Sequence, residues 1–398
     1  MYEYIDRFKR YGFGMFVHFG LYSVIGKGEW FLHTAKMSQD EYNSYADKFT
    51  PEKDWAKRLV KTAKEAGCRY ITLTTRHHDG FSLYDTKGLS DFDTVRTACG
   101  RDLIREFTDE CNKEGIIPFF YHTLLDWYNK DYENNFPKYI DYLVKSVEIL
   151  CTNYGKIGGM WFDGMWNKPD ADWQLDRLYG TIRRLQPEAM IINNTGLDAE
   201  GKTGHKEIDS VTFERGTPTP VLRDNKPVAG EVCQGLTDHW GYCEEDVCFK
   251  TIPTVLDLLV DCRKYEHNLL LNTGLKGDGT ITHIENEIFR GVGHVLKVNK
   301  NILLDGTPSD INAEHADVFT DGKHYYAVIK NVPMCYNSNV TRMKDTHTVR
   351  ILSDKKVVNA VWYDNDEKVR MNEDGSFLAW PFDYGYSYYI RIAKFDLE

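Results

Sequence analysis

Apolar and polar positions fall into two textures along the chain. From the N-terminus to about Asn272, short β-branched or aromatic runs recur between longer stretches whose apolar residues have helical spacing. The short runs predict buried strands over Gly14–Phe19, Tyr70–Thr74, Ile117–Tyr121, Gly159–Phe162, Met190–Asn193, Asp209–Phe213, Gly230–Cys233 and Asn268–Leu271. The intervening pattern predicts helices over Glu52–Ala66, Arg101–Glu114, Pro137–Tyr154, Asp172–Leu185 and Ile252–Tyr265. The first of these opens after Thr50-Pro51, a cap residue followed by proline at the first helical position, and stops at Ala66-Gly67. Eight strands alternating with helices predict an α/β fold, a (β/α)8 TIM-like barrel over residues 1–300. The stretch Gly196–Arg223, rich in Gly, Pro and Thr, predicts long loops with few helices.

Past a connector at Asn301–Pro308 the pattern changes. Val318–Thr320, Tyr325–Val332, Thr348–Leu352, Val357–Tyr363 and Tyr386–Ile392 are short and rich in β-branched and aromatic residues, with Asp321-Gly322 and Asp374-Gly375 as turns. They predict a small C-terminal antiparallel β-sandwich over residues 301–398.

Composition narrows the partners. The net charge of -11 and the lack of a basic stripe argue against nucleic acid. No run approaches the ~20 apolar residues of a membrane span. The charged start, Met1-Tyr2-Glu3-Tyr4-Ile5-Asp6-Arg7, has no apolar leader core, so a soluble, cytoplasmic protein is expected; a chain already trimmed of a leader would read the same. Nine cysteines, including Cys335, are scattered without paired C-x-x-C spacing, and several fall inside predicted helices or strands, where a free cysteine is expected to be a small buried residue. Aromatic residues, at 14%, exceed what core packing alone asks for and lean toward a sugar-binding cleft. Oligomeric state has no readable signature.

Chemistry gathers at the predicted strand ends, where barrels keep their active sites. Strand one ends in His18, with Glu29-Trp30 in the following loop; strand two is followed by Arg76-His77-His78-Asp79-Gly80. Strand three ends Tyr121-His122, then Asp126-Trp127; strand four ends Trp161-Phe162-Asp163-Gly164. Strand six ends Phe213-Glu214-Arg215, and strand seven gives Glu231. Two chemistries use such a ring. Paired carboxylates cleave glycosidic bonds, one attacking the anomeric carbon and the other protonating the leaving oxygen. Alternatively, His18, His77, His78, His122 and Asp163 could hold metal for hydrolysis, although the His-x-His pair usual at a first barrel strand is missing.

Gly14-Met15-Phe16-Val17-His18-Phe19-Gly20, Glu29-Trp30, Thr74-Thr75-Arg76-His77-His78-Asp79-Gly80-Phe81, Trp161-Phe162-Asp163-Gly164 and Asn268-Leu269-Leu270-Leu271-Asn272 resemble, in that order, the α-L-fucosidases of glycoside hydrolase family 29. The resemblance runs from about Phe13 to about Asn299. It implies a barrel with a C-terminal β-sandwich, a cofactor- and metal-free retaining mechanism, and exo-cleavage of terminal α-L-fucose from an oligosaccharide or glycoconjugate. By the same resemblance Asp163 matches the nucleophile. His18, Glu29, Trp30, His77 and His78 match positions holding the fucose hydroxyls and ring, and Tyr121 and Trp161 are expected to line the sugar pocket. Asp126-Trp127 falls where relatives often have Glu-Trp. For the acid/base, Glu214 is the first choice, although Arg215 beside it would lower its pKa if the side chains met. Glu231 is the second choice, with a sugar-lining or structural role as its other reading. Asn193-Asn194-Thr195 replaces the Asn-Asp-Arg of many relatives. A metal-dependent barrel hydrolase, a non-catalytic fucose-binding protein and an α-L-galactoside-cleaving variant are the alternatives. Linkage preference would reside in loops such as Asp198–His205 and Thr217–Val228, which carry no readable motif.

Overall fold

The computed structural model describes residues 2–221, 226–334 and 348–398; Cys335 and residues 222–225 of the Thr217–Val228 loop lie outside them. Eight parallel strands close into a barrel in chain order: β1 (Phe13–His18), β2 (Tyr70–Arg76), β3 (Ile117–Thr123), β4 (Gly159–Asp163), β5 (Met190–Asn193), β6 (Ser210–Glu214), β7 (Ala229–Gly235) and β8 (Asn268–Gly274). All eight sit on the predicted runs. A strand buried on both faces needs apolar residues at consecutive positions, which makes it conspicuous in sequence. β1 pairs with β8, Phe13 opposite Leu269, and so seals the barrel.

Side chains alternate across the barrel wall. The inward set, Phe16, Tyr70, Phe119, Tyr121, Trp161, Ile192 and Leu270 among others, forms one cluster with Ile5 and Phe8 of the N-terminal helix Glu3–Lys9. That helix plugs the bottom of the barrel, with the Phe8 ring 5.6 Å from both Tyr70 and Phe119. The outward set packs against helices Trp55–Ala66, Leu103–Glu114, Phe136–Asn153, Leu175–Leu185, Ile252–Arg263 and His283–Val298.

Two departures from the expected outline have local causes. The helix expected from Glu52 begins at Trp55, without a side-chain cap. Tertiary bonds hold the segment before it out of the helix: the Pro51 carbonyl accepts from Arg101 Nη1 at 2.5 Å, and the Glu52 N–H donates to the Asp278 carbonyl at 2.9 Å. Its other end is as expected, with Gly67 left-handed at φ 85°. The connector at 301–308 is partly ordered into a helical turn, Ile302–Asp305, and a strand, Thr307–Pro308. Between β5 and β6 the described residues hold one 3-10 turn, Leu197–Ala199, in keeping with the expected loops.

Among the described residues, the C-terminal region forms two antiparallel sheets, of three and five strands. Val349, Ile351 and Phe377 of the smaller sheet share a core with Ala327, Ile329 and Ala393 of the larger. This unit packs on the side of the barrel, where the Tyr389 hydroxyl donates to Asp257 Oδ2 at 2.7 Å and Tyr388 meets His294. The described residues that line the mouth come from the barrel itself.

Candidate active site

At the C-terminal ends of the strands lies a cavity of about 620 Å3, lined by Phe16, His18, Trp30, His77, His78, Tyr121, Trp161, Asp163, Trp166, Asn194, Glu214, Cys233, Trp240 and the loop residues Thr195–Asp198, with Pro169 at its edge. Alternation along the strands explains the membership. On β4, Trp161 and Asp163 face inward while Met160 and Phe162 face the helices. On β6 Glu214 is the last residue, at the cavity level.

Three donors converge on Asp163. Tyr121 Oη donates to Oδ2 at 2.9 Å; Trp166 Nε1 and Asn194 Nδ2 donate to Oδ1 at 3.1 and 3.2 Å. Asn194 Nδ2 also donates to Glu214 Oε2 at 2.7 Å. One amide nitrogen therefore bridges the two carboxyls, holding the bonded oxygens within about 6 Å of each other. Burial and the Asp163 charge raise the Glu214 pKa, and the Asn194 bond partly offsets them. Arg215 does not pair with Glu214. Its backbone is left-handed, at φ 55°, and its guanidinium stacks over the Trp240 ring at 4.7 Å and donates to the Asp238 carbonyl at 2.6 Å.

The histidines have defined polarity. Asn272 Nδ2 donates to the Trp240 carbonyl at 2.7 Å, which turns Asn272 Oδ1 toward His18 Nδ1 at 2.6 Å. Nδ1 of His18 must then carry the proton, leaving Nε2 as an acceptor. Thr123 donates to the Leu125 carbonyl, so its oxygen accepts from His78 Nδ1 at 2.7 Å. His78 Nε2, 3.5 Å from Asp163 Oδ2, is likewise an acceptor. Burial lowers both imidazoles to about 4, so each is neutral near pH 7. His77 stacks parallel to Tyr121 with centroids 5.5 Å apart, and its buried Nδ1 has no hydrogen-bond partner among the described residues. The cavity thus offers imidazole nitrogens for hydroxyls and indole and phenyl faces for ring carbons, a mixture suited to a sugar.

Two expected sugar contacts lie outside the cavity lining. Glu29 is buried behind it, where Oε2 accepts from the Gly241 N–H at 2.7 Å and braces the loop carrying Trp240. Glu231 lies one inward layer below Glu214: the β6–β7 register sets Glu214 opposite Cys233, two residues beyond Glu231. There Glu231 accepts from Tyr70 Oη at 2.5 Å and from Trp161 Nε1 at 2.9 Å, and burial pushes its pKa up to about 7. It lies outside the cavity lining, bonded to Trp161 of that lining. Asp126 also serves its own loop, accepting from the Tyr128 and Asn129 N–H groups at 3.0 and 2.9 Å. His122 points away from the mouth, bonded to Thr75 and Ser146, so the five-residue metal set expected as an alternative does not converge. Among the described residues, the group close enough to share an ion is instead Asp238, Asp246 and Cys248, outside the cavity lining.

Trp166, Asn194 and Trp240 were not among the expected site residues. Trp166 follows Asp163 by three positions and Asn194 directly follows β5, so both carry a positional signal; Trp240 reaches the site from a loop after β7.

Comparison with known proteins decides the family. Residues 2–301 match the α-L-fucosidase family model. The chain belongs to the α-L-fucosidase family. It is a glycoside hydrolase accordingly. It is 27% identical to the bovine (Bos taurus) tissue α-L-fucosidase over 357 residues, covering 81% of this chain and 74% of that one. Its fold is similar to α-L-fucosidase isoenzyme 1 from Paenibacillus thiaminolyticus, with a TM-score of 0.86 and 28% identity over 100% of this chain and 99% of that one. A Bacteroides thetaiotaomicron family 29 α-L-fucosidase, captured as a trapped covalent intermediate with 2-fluoro-fucosyl fluoride, shares the fold at a TM-score of 0.82 and 21% identity, covering 100% of this chain and 96% of that one. The closed barrel with C-terminal antiparallel sheets is thus the architecture of these fucosidases.

Proposed function

We propose that the protein removes terminal α-L-fucose from fucosylated oligosaccharides or glycoconjugates with retention of configuration, through a covalent intermediate on Asp163. The observation that carries this reading is the Asn194 amide shared between Asp163 and Glu214. Retaining enzymes hold their carboxyls about 5–5.5 Å apart, whereas inverting enzymes leave about 6.5–9.5 Å for a water. A gap capped near 6 Å by one bridging nitrogen suits the first and crowds the second.

In the first step Asp163 attacks C1 while Glu214 protonates the departing glycosidic oxygen. The C1–O bond to the leaving sugar breaks as the Asp163–C1 bond forms. Burial and the neighbouring Asp163 charge extend the pH range over which Glu214 keeps its proton, as a general acid requires. In the second step Glu214, now ionised, takes a proton from water, which displaces Asp163 and releases fucose. The Nε2 atoms of His18 and His78 accept hydrogen bonds from sugar hydroxyls, and Phe16, Trp161 and Trp240 face the apolar parts of the ring.

Release of nitrophenol from 4-nitrophenyl α-L-fucoside tests this directly. Asp163→Ala should lower turnover by several orders of magnitude, azide should restore part of it, and a chelator should leave the wild type unchanged. Full activity in the variant would remove Asp163 from the reaction.

A further inference from the structure

Beyond the two carboxyls the cavity opens onto a rim of Trp166, Pro169, Leu197 and Asp198. Leu197 is 65% exposed, an apolar side chain held in water beside the reacting centre. Its loop is anchored rather than free. It leaves the barrel at Asn194, the residue that bridges the carboxyls, and Gly196 N–H donates back to Asn194 Oδ1 at 3.4 Å. Thr195 Oγ1 and the Gly196 carbonyl close the turn through Ala199, at 2.8 and 3.1 Å. Gly196 has φ 91°, and a Cβ there would meet Trp166 Cβ at 3.3 Å, so the loop lies directly on that indole. Trp166 is itself fixed at both ends, donating to Asp163 and stacking on Trp30 with centroids 6.0 Å apart. Trp166 therefore connects the nucleophile to the loop that carries Leu197.

We propose that Trp166, Pro169 and Leu197 form the subsite for the leaving sugar, and that it accepts a neutral pyranoside lying with its C–H face on them. The inference rests on fucoside hydrolysis at Asp163 and Glu214. The residues favour a sugar because Trp166, Pro169 and Leu197 offer apolar faces for ring carbons and the Asp198 carboxylate an acceptor for hydroxyls. Asp198 lines the same cavity as Glu214, and its carboxylate, on a chain of net charge -11, disfavours a leaving sugar bearing sulfate or carboxylate.

The test compares two substrates in wild type and Leu197→Ser. α-L-Fucosyl fluoride releases an ion that occupies no subsite; a neutral fucosyl disaccharide, chosen as the best wild-type substrate among fucosyl-galactose and fucosyl-N-acetylglucosamine isomers, must place its second sugar on the rim. The ratio of kcat/KM for disaccharide over fluoride should fall about tenfold in the variant, the scale of one lost apolar contact in a binding site. An unchanged ratio would overturn the subsite, as would a wild type that cleaves the fluoride and none of the disaccharides. A wild type inert on the fluoride would instead defeat the underlying reading of hydrolysis.

Discussion

Removing the amide of Asn194 separates its electrostatic role from its packing. In Asn194→Ala, Glu214 loses its 2.7 Å donor and Asp163 loses one of three. A hydrogen bond to a charged group contributes about 1.5–3 kcal/mol, but here one nitrogen serves two acceptors, so the share belonging to Glu214 is about 1 kcal/mol. The bond favours the ionised form of Glu214, so its loss raises a pKa that burial and Asp163 already hold up. One pKa unit corresponds to about 1.4 kcal/mol, so the basic limb of the kcat/KM profile, which reports loss of the acid's proton in the free enzyme, should move upward by about 0.5–1 unit. The plateau should fall about tenfold or more as Asp163 is held less firmly. The assay is kcat/KM for 4-nitrophenyl α-L-fucoside from pH 4 to 9, with a thermal melt of each protein to register the buried side chain lost. A lowered plateau whose basic limb stays in place or moves down would refute the coupling and leave Asn194 a packing residue.

Two further predictions concern groups around the site. Arg215→Ala should loosen the Trp240 wall, raising the inhibition constant of free fucose about two- to fivefold, the scale of one cation–π contact; an unchanged constant would mean that Trp240 is held without Arg215. Glu231, whose folded-state pKa of about 7 lies above the ordinary 4.5, favours the fold when protonated. Its contribution is therefore fully present below the unfolded pKa and is lost as pH rises toward 7, by an amount on the order of 3 kcal/mol. Urea unfolding of Glu231→Gln should accordingly show a flatter decline in stability between pH 5 and 7.5 than the wild type; identical slopes would deny Glu231 this role.

The barrel was legible because its strands are buried on both faces and so appear as short runs dominated by apolar, aromatic and β-branched residues, from Phe13–His18 to Asn268–Gly274. The strands missed in the C-terminal region, Thr307–Pro308, Asn312–Glu314 and Phe377–Leu378, are two or three residues long, too short for any period to register. Helix starts also suffered, since the segment before Trp55 is set by Arg101 and Asp278, remote in sequence. At the site, polar strand ends pointed to His18, His77, His78, Asp163 and Glu214, and the fold gathers them. Depth along a strand was not legible. Glu231 and Glu214 look alike as acids near strand ends, and the β6–β7 register alone puts one beneath the floor and the other at the mouth. Nor could adjacency in sequence say where Arg215 points: its left-handed backbone turns it toward Trp240 and out of an ion pair with Glu214, on which its charge still acts to lower the pKa.

Retention itself has a direct readout in the configuration of fucose as it first leaves the enzyme. Proton NMR of the anomeric signal during early hydrolysis of 4-nitrophenyl α-L-fucoside, before mutarotation, should show α-L-fucose appearing first, as a double displacement through Asp163 and Glu214 requires. β-L-Fucose as the first product would mean a single displacement by water, and would contradict the roles given to both carboxyls.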